Sequence, residues 1–176
     1  KAAHRKRRII FNNDGSEWDY AREPTAQDVL RLHTIGLEDS HVDTVFFSSC
    51  AMGCNMYCHD TKVGEVFQDQ SGIIRGLIEK GTDMFQVMID HWHGLGKEIF
   101  WSCRVNDEHD SWIPGATSKW KRDHPEYLMG KPEDWQNYPE TDPRRRWTAL
   151  DFEISEVRDY LIAIIDDVLA RYDLDG

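Results

Sequence analysis

The sequence predicts an α/β protein that forms the N-terminal portion of a (β/α)8 TIM barrel. Three apolar runs that end in polar residues read as strands: Arg8–Asn13, Val42–Cys50 and Glu98–Trp101. Helical segments separate or follow them, and this alternation implies parallel strands joined by right-handed crossovers. The order is strand, helix, strand, helix, strand, long loop, helix. A complete barrel takes about 250 residues, whereas the chain has 176.

We therefore treat residues 1–176 as one partial barrel domain and expect a fourth strand after Gly176. The rest of the barrel is a predicted partner, either later in the same polypeptide or supplied by another chain. A free-standing α/β domain is the alternative, and it would leave an apolar sheet edge unpaired.

The first half of the chain shows clear local signals. The turn sequence Asn13-Asp14-Gly15 closes the first strand. A helix is predicted over Ala26–Ile35, with Thr25 as its N-cap. The segment Ala51–Asp69 is predicted to be a loop. In the next long helix Thr82 is the expected cap, and four apolar residues form one buried stripe at i, i+3, i+4 and i+7: Phe85, Met88, Ile89 and Trp92.

The final helix has the longest apolar stripe in the sequence. Ser155 is its expected N-cap. The stripe consists of Val157, Tyr160, Leu161, Ile164, Ile165, Val168, Leu169 and Tyr172. Earlier in the chain, His91 and His93 lie near a helix C-terminus, where the partial negative charge favours their protonation.

A long aromatic-rich loop, about residues 106–150, separates the third strand from the final helix. A short helix is predicted over Lys119–Leu128. Connections of this length inside a domain are often lids or binding loops. We expect most of its Trp and Tyr rings to pack the loop onto the barrel rim, and one or two to remain available for stacking against sugar rings.

Charge and motifs exclude several classes of protein. A formal net charge of −11 disfavours nucleic-acid binding, and the basic run His4–Arg8 reads as a solvated lead-in to the first strand. The sequence shows neither a membrane span nor a signal peptide, so the localisation stays open. G-x-S-x-G, P-loop and G-x-G-x-x-G motifs are missing, and no cofactor is predicted.

The cysteines do not match a standard metal motif. Cys50, Cys54 and Cys58 follow a C-x3-C-x3-C spacing, which differs from the C-x2-C pairs of common zinc sites. Thiols without a ligand are the favoured interpretation, with a disulfide or a metal site as alternatives. A mixed site of His59, Asp107, His109 and Asp110 also fits no standard spacing, so no metal is predicted.

The candidate active site follows the third strand. Arg104 has a planar fork suited to a carboxylate, either a protein group or a uronic acid; a structural ion pair is the alternative. Asp107 and His109 are the candidate catalytic residues, with substrate contact as their first role. At least one of Glu108 and Asp110 should point into solvent. The predicted substrate-binding residues are Asn13, Asp14, Arg104, Asn106, Asp110 and Trp112.

Three segments carry a family resemblance: FWSCRVNDEHDSW, KWKRDHPEYL and ALDFEISEVRDYLIAIIDDVLARYDLDG. They resemble the glycosyl-hydrolase-like TIM-barrel proteins of polysaccharide-degrading bacteria. The resemblance implies a carbohydrate substrate, hydrolysis by two carboxylates, and a periplasmic or extracellular location. It also implies that the main catalytic carboxylates lie on strands beyond Gly176. The alternatives are a non-catalytic carbohydrate-binding barrel and a metal-dependent barrel isomerase or hydrolase.

Overall fold

Three parallel strands form the central sheet of the computed structural model, which describes residues 6–15, 17–52, 55–113 and 115–176. With labels in chain order, they are β1 (Ile10–Asn13), β2 (Thr44–Phe47) and β6 (Glu98–Trp101), arranged β1-β2-β6. The last residues of the three strands are in register. The side chains that follow each strand therefore meet at one edge of the sheet. The predicted mixed α/β architecture with a parallel sheet is confirmed.

A second small sheet lies in the segment predicted to be a loop. Its strands are β3 (Cys50–Met52), β4 (Met56–Tyr57) and β5 (Glu65–Val66). β3 and β4 are antiparallel, and β4 and β5 are parallel. The prediction of a plain loop over Ala51–Asp69 was wrong because strands of two or three residues are too short to show a periodic pattern. Cys54 lies outside the described residues.

Six α-helices occur in the described part of the chain: α1 (Ala26–His33), α2 (Ile73–Glu79), α3 (Met84–Gly94), α4 (Lys119–Asp123), α5 (Asp134–Asn137) and α6 (Ser155–Arg171). Short 3-10 turns cover Glu17–Asp19, His109–Ser111, Pro125–Tyr127 and Pro143–Arg145. No helix among the described residues is both long enough and apolar enough to cross a membrane.

The helix caps match the predictions only in part. Thr25 caps α1 as predicted, because its hydroxyl accepts a hydrogen bond from the N–H of Asp28 at 3.2 Å. Asp83, one residue later than the predicted Thr82, caps α3 by accepting from the N–H of Gln86 at 2.9 Å. Ser155 is the first residue of α6, and Ile154 occupies the cap position without a side-chain bond.

Helices cover one face of the sheet. α3 packs on β2 and β6 and also contacts α1, and the buried residues Val45, Phe47 and Ile99 belong to the same core cluster as Phe85. The opposite face carries Phe46 and Phe100, which stack with ring centroids 5.1 Å apart. Those two rings are only partly buried. The sheet is thus packed by helices on one side, whereas on the other side Thr44 and Glu98 are buried and the two phenylalanine rings are only partly covered.

The two long helices differ in how much of their apolar stripe they bury. Phe85, Met88, Ile89 and Trp92 are all buried, as predicted for α3. In α6 the buried members of the stripe are Val157, Ile164, Val168 and the following Tyr172, whereas Leu169 is 59% exposed. The apolar stripe of α6 therefore contains more residues than the helix buries.

The chain returns to the sheet after α6. The N–H of Asp175 donates to the carbonyl of Ile99 at 3.0 Å, and the N–H of Trp101 donates to the carbonyl of Gly176 at 2.9 Å. These groups lie on the edge of β6 that does not face β2. The position next to β6 is thus occupied by the segment that follows α6.

The prediction for His91 was wrong. Burial lowers its pKa, and the nearby carboxylate of Glu38 only partly opposes that effect. His93 contacts Asp175, with Nε2 3.0 Å from Oδ2.

The long loop is held by aromatic packing and by short helical turns. The predicted helix over Lys119–Leu128 is present as α4 followed by a 3-10 turn. Trp120 stacks on Tyr160 of α6, with ring centroids 4.1 Å apart and planes 11° from parallel. An isolated bridge joins Leu128 to Leu150. These contacts fix the loop against α6 and leave its other side free to form a groove.

Candidate functional site

An open groove of about 620 Å³ lies beyond the carboxyl end of β6. Parallel α/β sheets bind ligands at this edge. The groove is lined by Asn106, Asp107, Glu108, His109, Trp112, Pro143 and Arg146. Four of these seven were predicted as site residues from the sequence.

A chain of ion pairs crosses the edge of the sheet next to the groove. Nη2 of Arg104 lies 2.7 Å from Oδ1 of Asp14, which follows β1. Nη1 of the same guanidinium lies 3.2 Å from Oδ2 of Asp107. The other oxygen of Asp107 accepts from Nδ1 of His109 at 2.7 Å and from the His109 backbone N–H at 3.0 Å. Residues that follow two different strands thus form one network.

The network keeps Asp107 ionised. Burial alone would raise the pKa of Asp107, but the hydrogen bonds from the backbone and ring of His109 and from Arg104 outweigh it and lower the pKa. Burial opposes the charge of Arg104 as well, yet its bonds to Asp107 and Asp14 raise its pKa. Asp107 is therefore an anion that orients its neighbours, and it is poorly suited to donate a proton.

His109 presents one ring nitrogen to the groove. A carboxylate only accepts, so Nδ1 of His109 carries the hydrogen that bonds Asp107. Nε2 is thereby left available for a ligand. The side chain is 51% exposed, and its ring centroid lies 5.0 Å from that of Trp112. This geometry suits contact with a hydroxyl group.

Asp14 owes its position to a tight turn. The side chain of Asn13 accepts a hydrogen bond from the N–H of Gly15 at 2.9 Å. Gly15 has φ of 75°, and a Cβ there would lie 1.6 Å from the carbonyl oxygen of Ser48. Only glycine fits this turn. Asn13 itself is buried, so the structure gives it a turn-forming role rather than the predicted substrate contact.

Asn106 ties the two ends of the long loop together. Its side-chain oxygen accepts from the N–H of Leu150 at 2.8 Å, and its amide nitrogen donates to the Leu150 carbonyl at 3.3 Å. The amide thus imitates a backbone partner for Leu150. Asn106 lines the groove, but both polar atoms of its side chain form hydrogen bonds with the backbone of Leu150.

Asp110 does not face the groove, contrary to the predicted substrate contact. It is buried with Lys121, whose ammonium lies 2.9 Å from Oδ2. The hydroxyl of Thr148 donates to the other oxygen at 2.6 Å. The backbone turns inward because a 3-10 turn begins at His109, which breaks the alternation expected from a strand.

Glu108 is a groove residue that the sequence interpretation left out. It lines the main groove and an adjacent cavity of about 290 Å³ that also contains Met129 and Trp147. Burial raises the pKa of Glu108, and the attraction of Arg146 only partly offsets it. A carboxyl group with a raised pKa beside the ionised Asp107 is the pattern of a proton donor. The sequence signal that could have identified Glu108 as a groove residue was its place in the acidic run Asp107–Asp110.

Aromatic rings and arginines form the outer wall. Trp112 and Trp135 are stacked, with centroids 6.3 Å apart. The guanidinium carbon of Arg146 lies 4.2 Å from the Trp112 ring centre, and that of Arg145 lies 3.8 Å from the Trp135 ring centre. Trp112 was predicted from the sequence, whereas the run Arg144–Arg146 was overlooked.

The residues considered for a metal are not assembled into a site. In the ranges that the structure describes, no group of three or more His, Cys, Asp and Glu side chains is arranged to hold a metal ion. His59 is buried, with Nδ1 2.9 Å from the hydroxyl oxygen of Ser49. Cys50 and Cys58 are buried, and burial raises the pKa of Cys103 to about 11.

The fold and the groove define the class as an α/β protein with a polar, aromatic-walled site at the carboxyl edge of a parallel sheet. Residues 9–176 match the glycosyl hydrolase-like 10 family, and the chain belongs to that family. The resemblance to glycosyl-hydrolase-like proteins is thereby confirmed. A search of curated proteins found no match.

Proposed function

We propose that the protein is a glycoside hydrolase acting on a polysaccharide or an oligosaccharide. The observation that carries the proposal is the network of Asp14, Arg104, Asp107 and His109 beside the open groove. Its ionised and hydrogen-bonding groups suit sugar hydroxyls, and the partly exposed indole of Trp112, which also packs against Arg146 and Trp135, adds an apolar part to the groove lining. The family membership supports the same function.

The proposed architecture is part of a (β/α)8 barrel. The strands follow one another in chain order across the sheet, and α1 and α3 contact each other on one face. A doubly wound sheet would place helices on both faces. In a barrel, the face with the partly buried Phe46 and Phe100 would point inward and pack against other strands. The segment at Asp175 and Gly176 lies where the next parallel strand would pair.

The proposed chemistry is acid–base catalysis by carboxyl groups. Glycosidases use one protonated carboxyl as the acid and a second carboxylate as nucleophile or base. Glu108 has the raised pKa that suits proton donation, and His109 is within reach of the same groove. Asp107 orients His109 and Arg104. The family resemblance implies that the main carboxylate pair lies on later barrel strands. The primary role of Arg104, Asp107 and His109 is therefore substrate contact, and catalysis is secondary.

A non-catalytic carbohydrate-binding barrel is the second candidate. The three hydrogen bonds that Asp107 accepts make it a weak base, and this favours a binding role for the network. The two candidates share the same substrate and the same groove. They differ only in whether a glycosidic bond is broken.

The test is a screen of the purified full-length polypeptide, which in the proposed architecture carries the later barrel strands, against neutral and acidic polysaccharides. Release of reducing ends and binding are measured on the same panel. We expect new reducing ends from at least one polysaccharide. Binding without any release would select the carbohydrate-binding candidate, and the lack of both would reject the proposed function.

A further inference from the structure

We propose that Arg145 and Arg146, with Trp135 and Trp112 beneath them, form a subsite for the carboxylate of an acidic sugar. This inference rests on the proposed function and narrows its substrate to a carboxylated glycan. The subsite is a cleft of about 270 Å³ lined by Trp112, Trp135, Glu140, Arg145 and Arg146.

The two arginines lack a carboxylate partner in the described part of the chain. No Asp or Glu oxygen there lies within the 4.0 Å ion-pair distance of either guanidinium. The preceding residue Arg144 differs, because its Nη2 lies 2.6 Å from Oδ2 of Asp142. Glu140 lines the cleft, and the charge of Arg146 lowers the pKa of Glu108 without a close ion pair between them. Two charges thus remain available to a ligand.

Stacking organises these guanidinium groups for recognition. The guanidinium carbon of Arg145 lies 3.8 Å from the centre of Trp135, and that of Arg146 lies 4.2 Å from the centre of Trp112. A guanidinium stacked on an indole loses little freedom when it binds, and the donors at its edge remain available. The Nε of Arg145 is shielded from solvent and has no hydrogen-bond partner among the described residues, so a carboxylate would approach the guanidinium through its Nη groups. A carboxylate matches this planar set of donors.

The cleft adjoins the proposed sugar-binding groove. Trp112 and Arg146 line both. A glycan with a sugar bound beside His109 could therefore place a neighbouring sugar against the arginines. The formal net charge of the protein is −11, which repels a polyanion at long range. A locally positive cleft offsets that repulsion at one place only. It would therefore favour the position of the glycan chain that puts a carboxylated sugar in this cleft.

The test compares acidic oligosaccharides with the same molecules after methyl esterification. The probes are an oligogalacturonide, an alginate oligosaccharide and a hyaluronan oligosaccharide. Esterification removes the charge and keeps the sugar rings. Isothermal titration calorimetry at low ionic strength gives Kd for each pair. We expect at least one acidic probe to bind about tenfold or more tightly than its ester, as for a charge-assisted hydrogen bond.

Three matched variants locate the effect. Arg145→Gln and Arg146→Gln should reduce the preference for the acid to less than about threefold. Arg144→Gln is the control and should retain it, because Arg144 already pairs with Asp142. An unchanged thermal transition in each variant shows that the fold is intact.

Three results would overturn the subsite: no acid preference for any probe, a preference that survives both Gln variants, or equal loss in Arg144→Gln. None of these three results by itself contradicts the proposed function. Release of reducing ends from neutral glycans together with any of them would leave the hydrolase proposal standing and remove the acidic subsite.

Discussion

The ammonium nitrogen of Lys121 lies 2.9 Å from Oδ2 of Asp110, and both side chains are completely shielded from solvent. The pair joins α4 to the turn that follows the groove residues. Thr148 donates a further hydrogen bond to Asp110. Two distant parts of the long loop are therefore attached to one buried carboxylate, which stabilises the wall of the groove.

Removal of the Lys121 charge should destabilise the protein strongly. We expect Lys121→Met to lower the free energy of unfolding by about 3–5 kcal/mol, because Asp110 would stay buried without its counter-charge. Urea denaturation measures the change. Lys119→Met is the matched control: Lys119 pairs with the exposed Asp123, and such pairs contribute only about 0–1 kcal/mol. Equal losses in both variants would contradict the assignment.

The Arg104 network should govern ligand binding more than folding. We expect Arg104→Ala and Asp107→Asn to weaken glycan binding or turnover about tenfold or more, because each loses a charge-assisted contact that orients the groove. The thermal transition should change little in Arg104→Ala, since Arg104 is part-exposed and lies at the edge of the sheet. The Asp107 side chain is only 5% exposed, and Asp107→Asn keeps its shape, so any loss of stability in that variant is measured separately from the loss of binding. The measurements are calorimetry and release of reducing ends on the substrate found in the screen. Near-normal activity in both variants would remove the network from the site.

The stack of Trp120 on Tyr160 should hold the long loop to α6. We expect Trp120→Ala to cost roughly 2 kcal/mol, since the indole is only partly buried and a fully buried ring costs more, and to speed proteolysis within residues 106–150. Trp135→Ala is the control: its ring stacks on Trp112 away from α6. Mass spectrometry of the first cleavage products locates the released segment. The same first cleavage sites in both variants would argue against the anchor.

Buried His59 should make stability depend on pH. Burial lowers its pKa from 6.5 to about 4, so between these values the unfolded chain binds the extra proton and the folded chain does not. The contribution of neutral His59 is complete above about pH 6.5 and is lost as the pH falls towards 4. The slope contributed by one such group is at most about 1.4 kcal/mol per pH unit.

The variant His59→Gln should reduce that slope. Denaturation at a series of pH values from 7 down to 4.5 measures it. The charged groups that act on His59 are Asp83, Asp167, Arg171 and Asp60, and all of them remain in the variant. The exposed residue His41 provides the control through His41→Gln. A slope that is the same in the wild type and in His59→Gln would contradict a neutral buried histidine.

The elements that follow from local chemistry could be predicted from the sequence. The strand Glu98–Trp101 has the predicted bounds, because a continuous apolar run suits a strand buried in a parallel sheet. The cap of α1 and the buried stripe of α3 depend on near neighbours, and both were confirmed. The small sheet of β3, β4 and β5 depends on pairings that no sequence period announces.

The sequence pointed to the region of the candidate groove, and the structure shows which residues of that region line it. An acidic and polar tail after a buried strand pointed to the stretch from Arg104 to Trp112. Which side of the turn each residue occupies could not be predicted, because β6 ends at Trp101 and a 3-10 turn begins at His109, so the alternation of a strand does not extend to these residues. Asp110 therefore points inward to Lys121, and Glu108 faces the groove.

The sequence by itself determined the α/β class, the family and the stretch that carries the polar groups, because these depend on residue type and spacing along the chain. The tertiary structure alone decided the partners: Asp14 with Arg104, Asn106 with Leu150, and the arginines with their tryptophans. Such contacts join residues far apart in the sequence, and their geometry depends on how the long loop packs against α6. Folding also shifted the pKa values of carboxyl groups: burial raises that of Glu108, whereas the bonds from His109 and Arg104 lower that of Asp107.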